Sequence, residues 1–337
     1  MIYYLVTDRH SSTIRRLLRG LPKLRSLLSY LTYEELFLRR SGPVAHYIFA
    51  DIDRLTRHER ETAANFAAAL RRSVPDARIL NDPVLSLDRA ALLAALRRAG
   101  INDFAATRLD TFTQPPRFPV FIRTEDGHFG PETGLLADEA SFEAALRDLW
   151  LKDLPVHGRI AVGYAASAGP DGMYRRYSAF RIGDRVFGDE LFVSDRWAVK
   201  DAVALWSPEI IAEELAFVRS NPHEDALRKA FAVAEIDFGR ADYGVVDGRV
   251  QVYEINTNPA FSIGPHEDGR DARRLFARQA AIDALLAIDT PIAARGRVGF
   301  SRPPLPRPQS FRHPRGWKWV TSVGHRIWPP RRPHDRH

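Results

Sequence analysis

Short apolar runs alternate with helix-period segments through the first hundred residues. Ile2 to Thr7 reads as a buried strand, Ser11 to Arg19 as a helix ended by Gly20 and Pro22, and Ala45 to Ala50 as a second strand. Apolar positions at helical spacing over Thr56 to Arg72 predict another helix. Ala77 to Leu80 follows as a strand, and Asp88 to Arg98 as a helix with Gly100 just past its end. This β-α-β-α-β-α order predicts a small open sheet flanked by helices.

From about residue 101 the texture changes. Phe118 to Arg123 reads as a strand, Glu125 to Gly134 as a glycine-containing loop and Glu139 to Trp150 as a helix. Arg159 to Tyr164, Met173 to Ile182 and Arg185 to Val193 read as antiparallel strands, the last two joined by a turn at Gly183-Asp184. Two helices, about Pro208 to Arg219 and His223 to Ala234, precede paired strands over Phe238 to Val246 and Arg249 to Asn256. A helical segment from Asp271 to Ile288 follows. The pattern therefore predicts a mixed architecture: an α/β N-terminal domain over residues 1–105, then two α+β subdomains over 106–190 and 191–290.

Composition sharpens this picture at three points. A chain of 337 residues is long enough for about two cores. The absence of cysteine excludes disulfides, thiolate zinc sites, iron–sulfur clusters and a thiol nucleophile. The apolar run at Ile2 to Val6 is too short for a signal peptide, and no stretch reaches membrane-span length, so a cytoplasmic protein is the expectation. The charge is segregated. Residues 291–337 hold eleven Lys/Arg against Asp335 alone, a net of +10 within a chain total of +7, which leaves the first 290 residues at −3. That segment also carries nine of the 23 prolines. It reads as a basic extension, with 295–337 dispensable for folding. Trp317, Val320 and Trp328 among basic residues offer contact with an anionic membrane or RNA.

The sharpest chemical signal runs from Gly239 to Pro259. Alternate strand residues share a face, so Glu254 and Asn256 point the same way, and a tight turn at Asp247-Gly248 brings Asp242 opposite them. Carboxylate and amide oxygens are hard donors suited to Mg²⁺, with Mn²⁺ as an alternative. Arg240 lies two residues before Asp242 on the same face, where its planar fork can hold a phosphate or a developing oxyanion. The plainer reading is a solvated charged hairpin. Against it, Glu254 lies between Val252 and Ile255, where a carboxylate is costly without a cation.

This stretch resembles the ATP-grasp superfamily, in particular its D-alanine–D-alanine-ligase-like and glutathione-synthetase-like members. Gly-Arg-x-Asp followed by Glu-x-Asn-Thr-x-Pro is similar to the region that binds two magnesium ions in those enzymes. The resemblance implies a pre-ATP-grasp α/β domain followed by a two-subdomain ATP-grasp fold. It gives Asp242, Glu254 and Asn256 the roles of metal ligands, with Glu254 bridging two Mg²⁺, and Arg240 that of stabilising the transferred phosphoryl group. Upstream, Asn81-Asp82-Pro83, Ser86-Leu87-Asp88-Arg89, Gly100-Ile101-Asn102 and Phe118 to Arg123 fall in the expected order. Arg89 and Arg123 stand where such enzymes carry phosphate-contacting lysines, and Gly163, in the strand implied as the adenine hinge, stands where a glutamate is common.

On the same resemblance the loop Glu125 to Pro131 covers phosphates through Gly127, His128 and Gly130; read alone it is an ordinary turn. Arg176, in Tyr174-Arg175-Arg176-Tyr177, either points into the nucleotide cleft or lies on a half-exposed sheet edge. Lys200 is a candidate contact for a phosphate or a substrate carboxylate. His157, His223 and His266 lack partners at ligand spacing and read as structural or solvated. The implied activity is ATP-dependent ligation of a small-molecule carboxylate to an amine through an acyl phosphate. A nucleotide-binding protein without turnover, or a membrane- or RNA-associated protein acting through the basic extension, are the alternatives.

Overall fold

The computed structural model describes residues 1–127, 130–199, 204–261 and 269–301. Its N-terminal part runs through β1 (Ile2–Val6), α1 (Ser12–Gly20), β2 (Leu28–Thr32), α2 (Tyr33–Arg39), β3 (Ser41–Pro43), β4 (His46–Phe49), α3 (Arg57–Ser73), β5 (Ile79–Leu80) and α4 (Arg89–Arg98). Four of these strands form one parallel sheet in the order β2-β1-β4-β5. Apolar residues cover both faces, as a parallel sheet requires. Leu17, Ile48 and Leu80 pack on one side, and Leu5, Phe49, Phe66 and Leu70 on the other. Local signals set the helix starts: Thr32 caps α2 through the Glu35 amide, Thr56 and Glu59 form a reciprocal capping box at α3, and Asp88 caps α4.

A three-stranded antiparallel sheet follows, built from β6 (Ala106–Arg108), β7 (Val120–Thr124) and β8 (Arg159–Gly163) in the order β6-β8-β7, with α5 (Glu139–Leu151) packed against it through Phe142 and Leu149. The next unit comprises β9 (Tyr174–Ile182), β10 (Arg185–Ser194), α6 (Pro208–Ser220), α7 (Glu224–Val233), β11 (Phe238–Val246), β12 (Arg249–Asn256) and α8 (Asp271–Ile288). Its antiparallel sheet is ordered β10-β9-β11-β12. The β11–β12 turn has Asp247 at φ 50° and Gly248 at φ 73°, the positive pair that a tight hairpin needs. This hairpin fixes the register that places Asp242 opposite Glu254 and Arg240 opposite Asn256.

Two buried asparagines join the units. Asn81, at φ 59°, donates to the carbonyls of Phe49 and Phe238 and accepts from the amides of Asp237 and Phe238. Asn102 donates to the Val252 carbonyl and accepts from the Val252 amide along the edge of β12. The motifs carrying these residues thus tie the N-terminal domain and the α4 connection to the sheet that bears the candidate ligands.

The structure moves two boundaries. Strands over Tyr174–Ser194 fall in the unit expected over 106–190, yet β9 pairs with β11 and its Ala179 shares a core with Tyr243 and Phe231. The division between the two α+β units therefore falls between β8 and β9, well before residue 190. The extension expected from residue 291 contains β13 (Arg297–Gly299), which pairs with β3 and buries Val298 against Phe66 and Tyr47. Residues 302–337, including the tryptophans proposed to meet membrane or RNA, lie outside the described residues. Among the described residues no helix is long and apolar enough to cross a membrane.

Candidate functional site

A cavity of about 150 Å³ opens between the β6-β8-β7 sheet and the β9–β12 sheet. One wall is aromatic: Trp197 lies over Phe121, ring centres 5.1 Å apart, and edge-on to Tyr164 at 5.8 Å. The other wall is ionic, with Arg89, Arg123, Arg176, Asp242 and Glu254. Gly130 and Gly163 are also in the lining, with Arg175 and Tyr253 among others. An aromatic wall beside guanidinium groups matches a ligand with a ring at one end and anionic groups at the other.

The ionic wall starts from the β11–β12 register. Asp242 is 7 % exposed, and its Oδ1 is buried without a hydrogen-bond partner. Arg240 Nε lies 3.3 Å from that oxygen and Arg176 Nη1 3.8 Å from Oδ2. Burial pushes the Asp242 carboxyl up, while Arg240 and Arg176 pull it back. Across the pair, Glu254 Oε2 accepts from Arg89 Nη2 at 2.5 Å and lies 3.8 Å from Arg123. Arg89 and Arg123 also donate to the Gly127 carbonyl at 3.1 and 2.5 Å. Burial and then the neighbouring Arg89 charge push the Arg123 guanidinium down to about 10. Positive groups therefore crowd this wall, and an anion entering it gains from each of them.

Of the residues singled out in the sequence, Arg89, Arg123, Gly130, Arg176, Asp242 and Glu254 meet at this cavity. Gly127 stands just behind, contributing its carbonyl rather than its amide. A Cβ there would fall 1.8 Å from Thr124 Oγ1, so any side chain at 127 would force Thr124 to turn away. Arg240 lies behind the lining, engaged by Asp189 and Glu190 at 3.5 Å each as well as by Asp242. Asn256 is outside the lining too, and its Oδ1 accepts from the Asn258 amide at 2.8 Å. His128, Lys200 and His266 lie outside the described residues. His157 pairs with Asp110 at the surface, and His223 meets the Tyr243 hydroxyl at 3.0 Å beside α7.

The aromatic wall and the layer behind Arg240 escaped the sequence reading. Asp189 and Glu190 on β10 meet Arg240 from one side and Arg273 of α8 from the other, at 3.6 and 3.0 Å for Arg273. Arg273 and Arg270 both reach the fully buried Glu214 of α6. Burial, then Glu190, raises the Asp189 carboxyl to about 7 against the pull of Arg240 and Arg273. Arginines at 270, 273 and 274, at the cap and first turn of α8, were the available signal, because on a solvated face they would not need acids on β10 and α6.

Two carboxylates facing each other across a hairpin, with an amide two residues beyond one of them, are a donor set that suits Mg²⁺ if phosphate oxygens and water supply the remaining positions. Asp242 Oδ1, buried with no hydrogen bond and, among the described residues, only the ion pair to Arg240, fits such a cation. Among the described residues, no three His, Asp or Glu side chains gather as a metal site without such help.

No family model matches the chain, and no curated protein matches it. Solved structures do. D-alanine–D-alanine ligase from Bacillus anthracis complexed with ATP is 11% identical, with 86% of this chain and 98% of that one covered and a TM-score of 0.48. The ATP-grasp RimK domain protein from Sphaerobacter thermophilus is 14% identical over 85% of this chain and 100% of that one, with a TM-score of 0.43. The ATP-grasp ligase PsnB complexed with a phosphomimetic variant of its minimal precursor, Mg and ADP is 14% identical over 86% and 97%, with a TM-score of 0.46. All three scores fall below 0.5.

Proposed function

We propose that this chain is an ATP-grasp ligase, which phosphorylates a small-molecule carboxylate with ATP and passes the resulting acyl group to an amine. The single observation that carries the reading is the in-register pair Asp242 and Glu254, set among Arg89, Arg123, Arg176 and Arg240 beside an aromatic wall. Adenine would lie against Trp197, Phe121 and Tyr164, and the phosphates would lie toward the arginines. Arg89 and Arg123 take the place of compact ammonium groups with broader forks, which offer paired hydrogen bonds to phosphate oxygens.

Asp242, Glu254 and Asn256 would hold Mg²⁺, two ions on the family pattern, with Mn²⁺ able to substitute. Bound there, the metal neutralises charge on the β- and γ-phosphates and orients the transferred group. Arg240, held from behind by Asp189 and Glu190, is pre-set to face charge that develops during transfer. Arg89 is set to exchange Glu254 for a phosphate, which releases the carboxylate to a cation.

One observation favours a second reading. Both cleft carboxylates are already engaged by arginines, so the site is internally neutralised and a nucleotide could bind without turnover. The two readings separate in one experiment: protein, ATP, Mg²⁺ and a mixture of carboxylates and amines, with ADP release as readout. ADP that depends on both the acid and the amine supports the ligase, and tight nucleotide binding with no ADP supports the binder.

A further inference from the structure

The parallel sheet of the N-terminal domain reverses its strand order between β1 and β4, so the chain leaves these two neighbouring strands in opposite directions. A crevice at the carboxyl ends of such strands is where open α/β sheets bind ligands. The residues that emerge there are Thr7 and His10 after β1 and Asp51, Asp53 and Arg54 after β4. Asp51 is 1 % exposed and lies at φ 59°. Its Oδ2 accepts from the Thr7 hydroxyl, and Arg54 Nε lies 2.9 Å from Oδ1. Thr7 Oγ1 in turn lies 2.8 Å from His10 Nδ1.

The direction of these bonds follows from the inventory of protons. A carboxylate only accepts, so the Thr7 hydroxyl spends its one proton on Asp51 and can only accept from His10. With Asp51 ionised, Nδ1 of His10 carries the hydrogen and also lies 3.2 Å from Asp51 Oδ2, which in the neutral ring leaves the lone pair on Nε2. No hydrogen bond occupies Nε2 among the described residues, and the side chain is 30% exposed. This is the arrangement by which a base is held in one tautomer with its working nitrogen outward.

Hydrogen bonds tie this end of the sheet to the segment that follows β12. Asn258, two residues beyond Asn256, donates from Nδ2 to the His10 carbonyl at 3.4 Å, and its Oδ1 accepts from Tyr4. Thr257 reaches Asp53 at 3.2 Å. The charged groups facing His10 are Asp51 and Arg54, with Asp8, Glu34 and Asp53 around them. Burial pushes the Asp51 carboxyl up, and the Thr7 hydroxyl, His10 and Arg54 oppose that shift. The crevice is thus poorer in positive charge than the arginine wall, and it suits an incoming ammonium rather than a phosphate.

We propose that His10 is the base that deprotonates the incoming amine, with Thr7 and Asp51 as its positioning residues, and that the amine enters at the carboxyl ends of β1 and β4. This proposal rests on the ligase reading above. In the step it serves, the ammonium gives one proton to His10 Nε2. The freed nitrogen lone pair forms the C–N bond, and the C–O bond to phosphate breaks with its electron pair leaving on inorganic phosphate. The nitrogen's second proton passes to the departing phosphate as the amide forms.

The test uses the full chain with ATP, Mg²⁺ and an equimolar mixture of the twenty amino acids, which supply both carboxylates and amines. ADP release reads the amine reaction. Hydroxamate formation after adding hydroxylamine, which is uncharged at neutral pH, reads acyl transfer that needs no such base. His10→Gln is expected to lower the amine reaction by about a hundredfold or more while hydroxamate formation stays within about threefold. Added imidazole should restore part of the variant's rate on amines while leaving hydroxamate formation unchanged. Asp51→Asn should lower the amine reaction less than His10→Gln and leave hydroxamate formation in place. Equal loss on both nucleophiles, or no loss, overturns the role of His10. A parent that makes neither product overturns the ligase reading itself, and this proposal with it.

Discussion

Nη2 of Arg89 lies 2.5 Å from Oε2 of Glu254, a contact that joins the start of α4 to the end of β12. It holds a phosphate-binding candidate and a metal-ligand candidate against each other, so a ligand that takes Arg89 Nη2 or Glu254 Oε2 competes with the pair. Nucleotide and metal should therefore each make room for the other.

This coupling gives Glu254→Gln opposite effects in two conditions. Without metal, the substitution removes one negative charge from the cleft and loosens Arg89, and ATP affinity should rise about tenfold. With Mg²⁺ present, the gain that the metal gives the parent should shrink by a similar factor. Titration calorimetry with ATP, in chelator and in Mg²⁺, measures both. Equal shifts in the two conditions would show that Glu254 does not couple them.

Asp189 gives the layer behind Arg240 a pH signature. Its carboxyl is raised in the folded chain from the ordinary 3.8 to about 7, so between those values the folded state holds a proton that the unfolded state has lost. Stability from this group is present at low pH and falls as pH rises toward 7. Asp189→Asn abolishes that decline. Relative to the parent, the variant should gain on the order of 1 kcal/mol between pH 5 and pH 8, read from urea unfolding at each pH. A difference that stays constant with pH would mean that Asp189 is ionised throughout.

The strands from Tyr174 to Asn256 were legible because each carries its own period and punctuation, whereas their order β10-β9-β11-β12, and the separation of β8 into another sheet, were not. Phe238–Val246 and Arg249–Asn256 are apolar enough for strands, and Asp247-Gly248 between them admits only a tight turn. The same alternation put Asp242 and Glu254 on one face. Other parts were not legible for physical reasons. Leu28–Thr32 passes into the helix Tyr33–Arg39 with no intervening loop, so the strand and helix periods run together in one apolar stretch. Asn81 and Asn102 stood out in the sequence, yet their work is to satisfy the backbone of strands more than 150 residues away in β11 and 150 residues away in β12. The contacts of Trp197 with Phe121 and Tyr164 join three separate segments, and no local pattern reports such a meeting.

The extension divides at a definite place. Val298 is 5 % exposed, β13 pairs with β3, and Arg297 donates to Ser41. A chain ending after Ser301 should melt like the parent. One ending at residue 294 should lose roughly 2–4 kcal/mol, because it exposes the surface under Val298 and Phe300 and leaves β3 unpaired. Thermal melts of the two truncations read the difference, and identical curves would show that β13 adds nothing to the fold.

The most direct measurement is ATP binding to the cleft itself. Titration calorimetry with ATP and Mg²⁺ should show one site on the parent. Arg123→Ala should weaken it tenfold or more through loss of a phosphate contact, and Asp242→Asn should remove most of the dependence on Mg²⁺. If the parent binds no ATP, or if both variants bind ATP·Mg²⁺ as the parent does, the arginine-ringed carboxylate pair is not a nucleotide site.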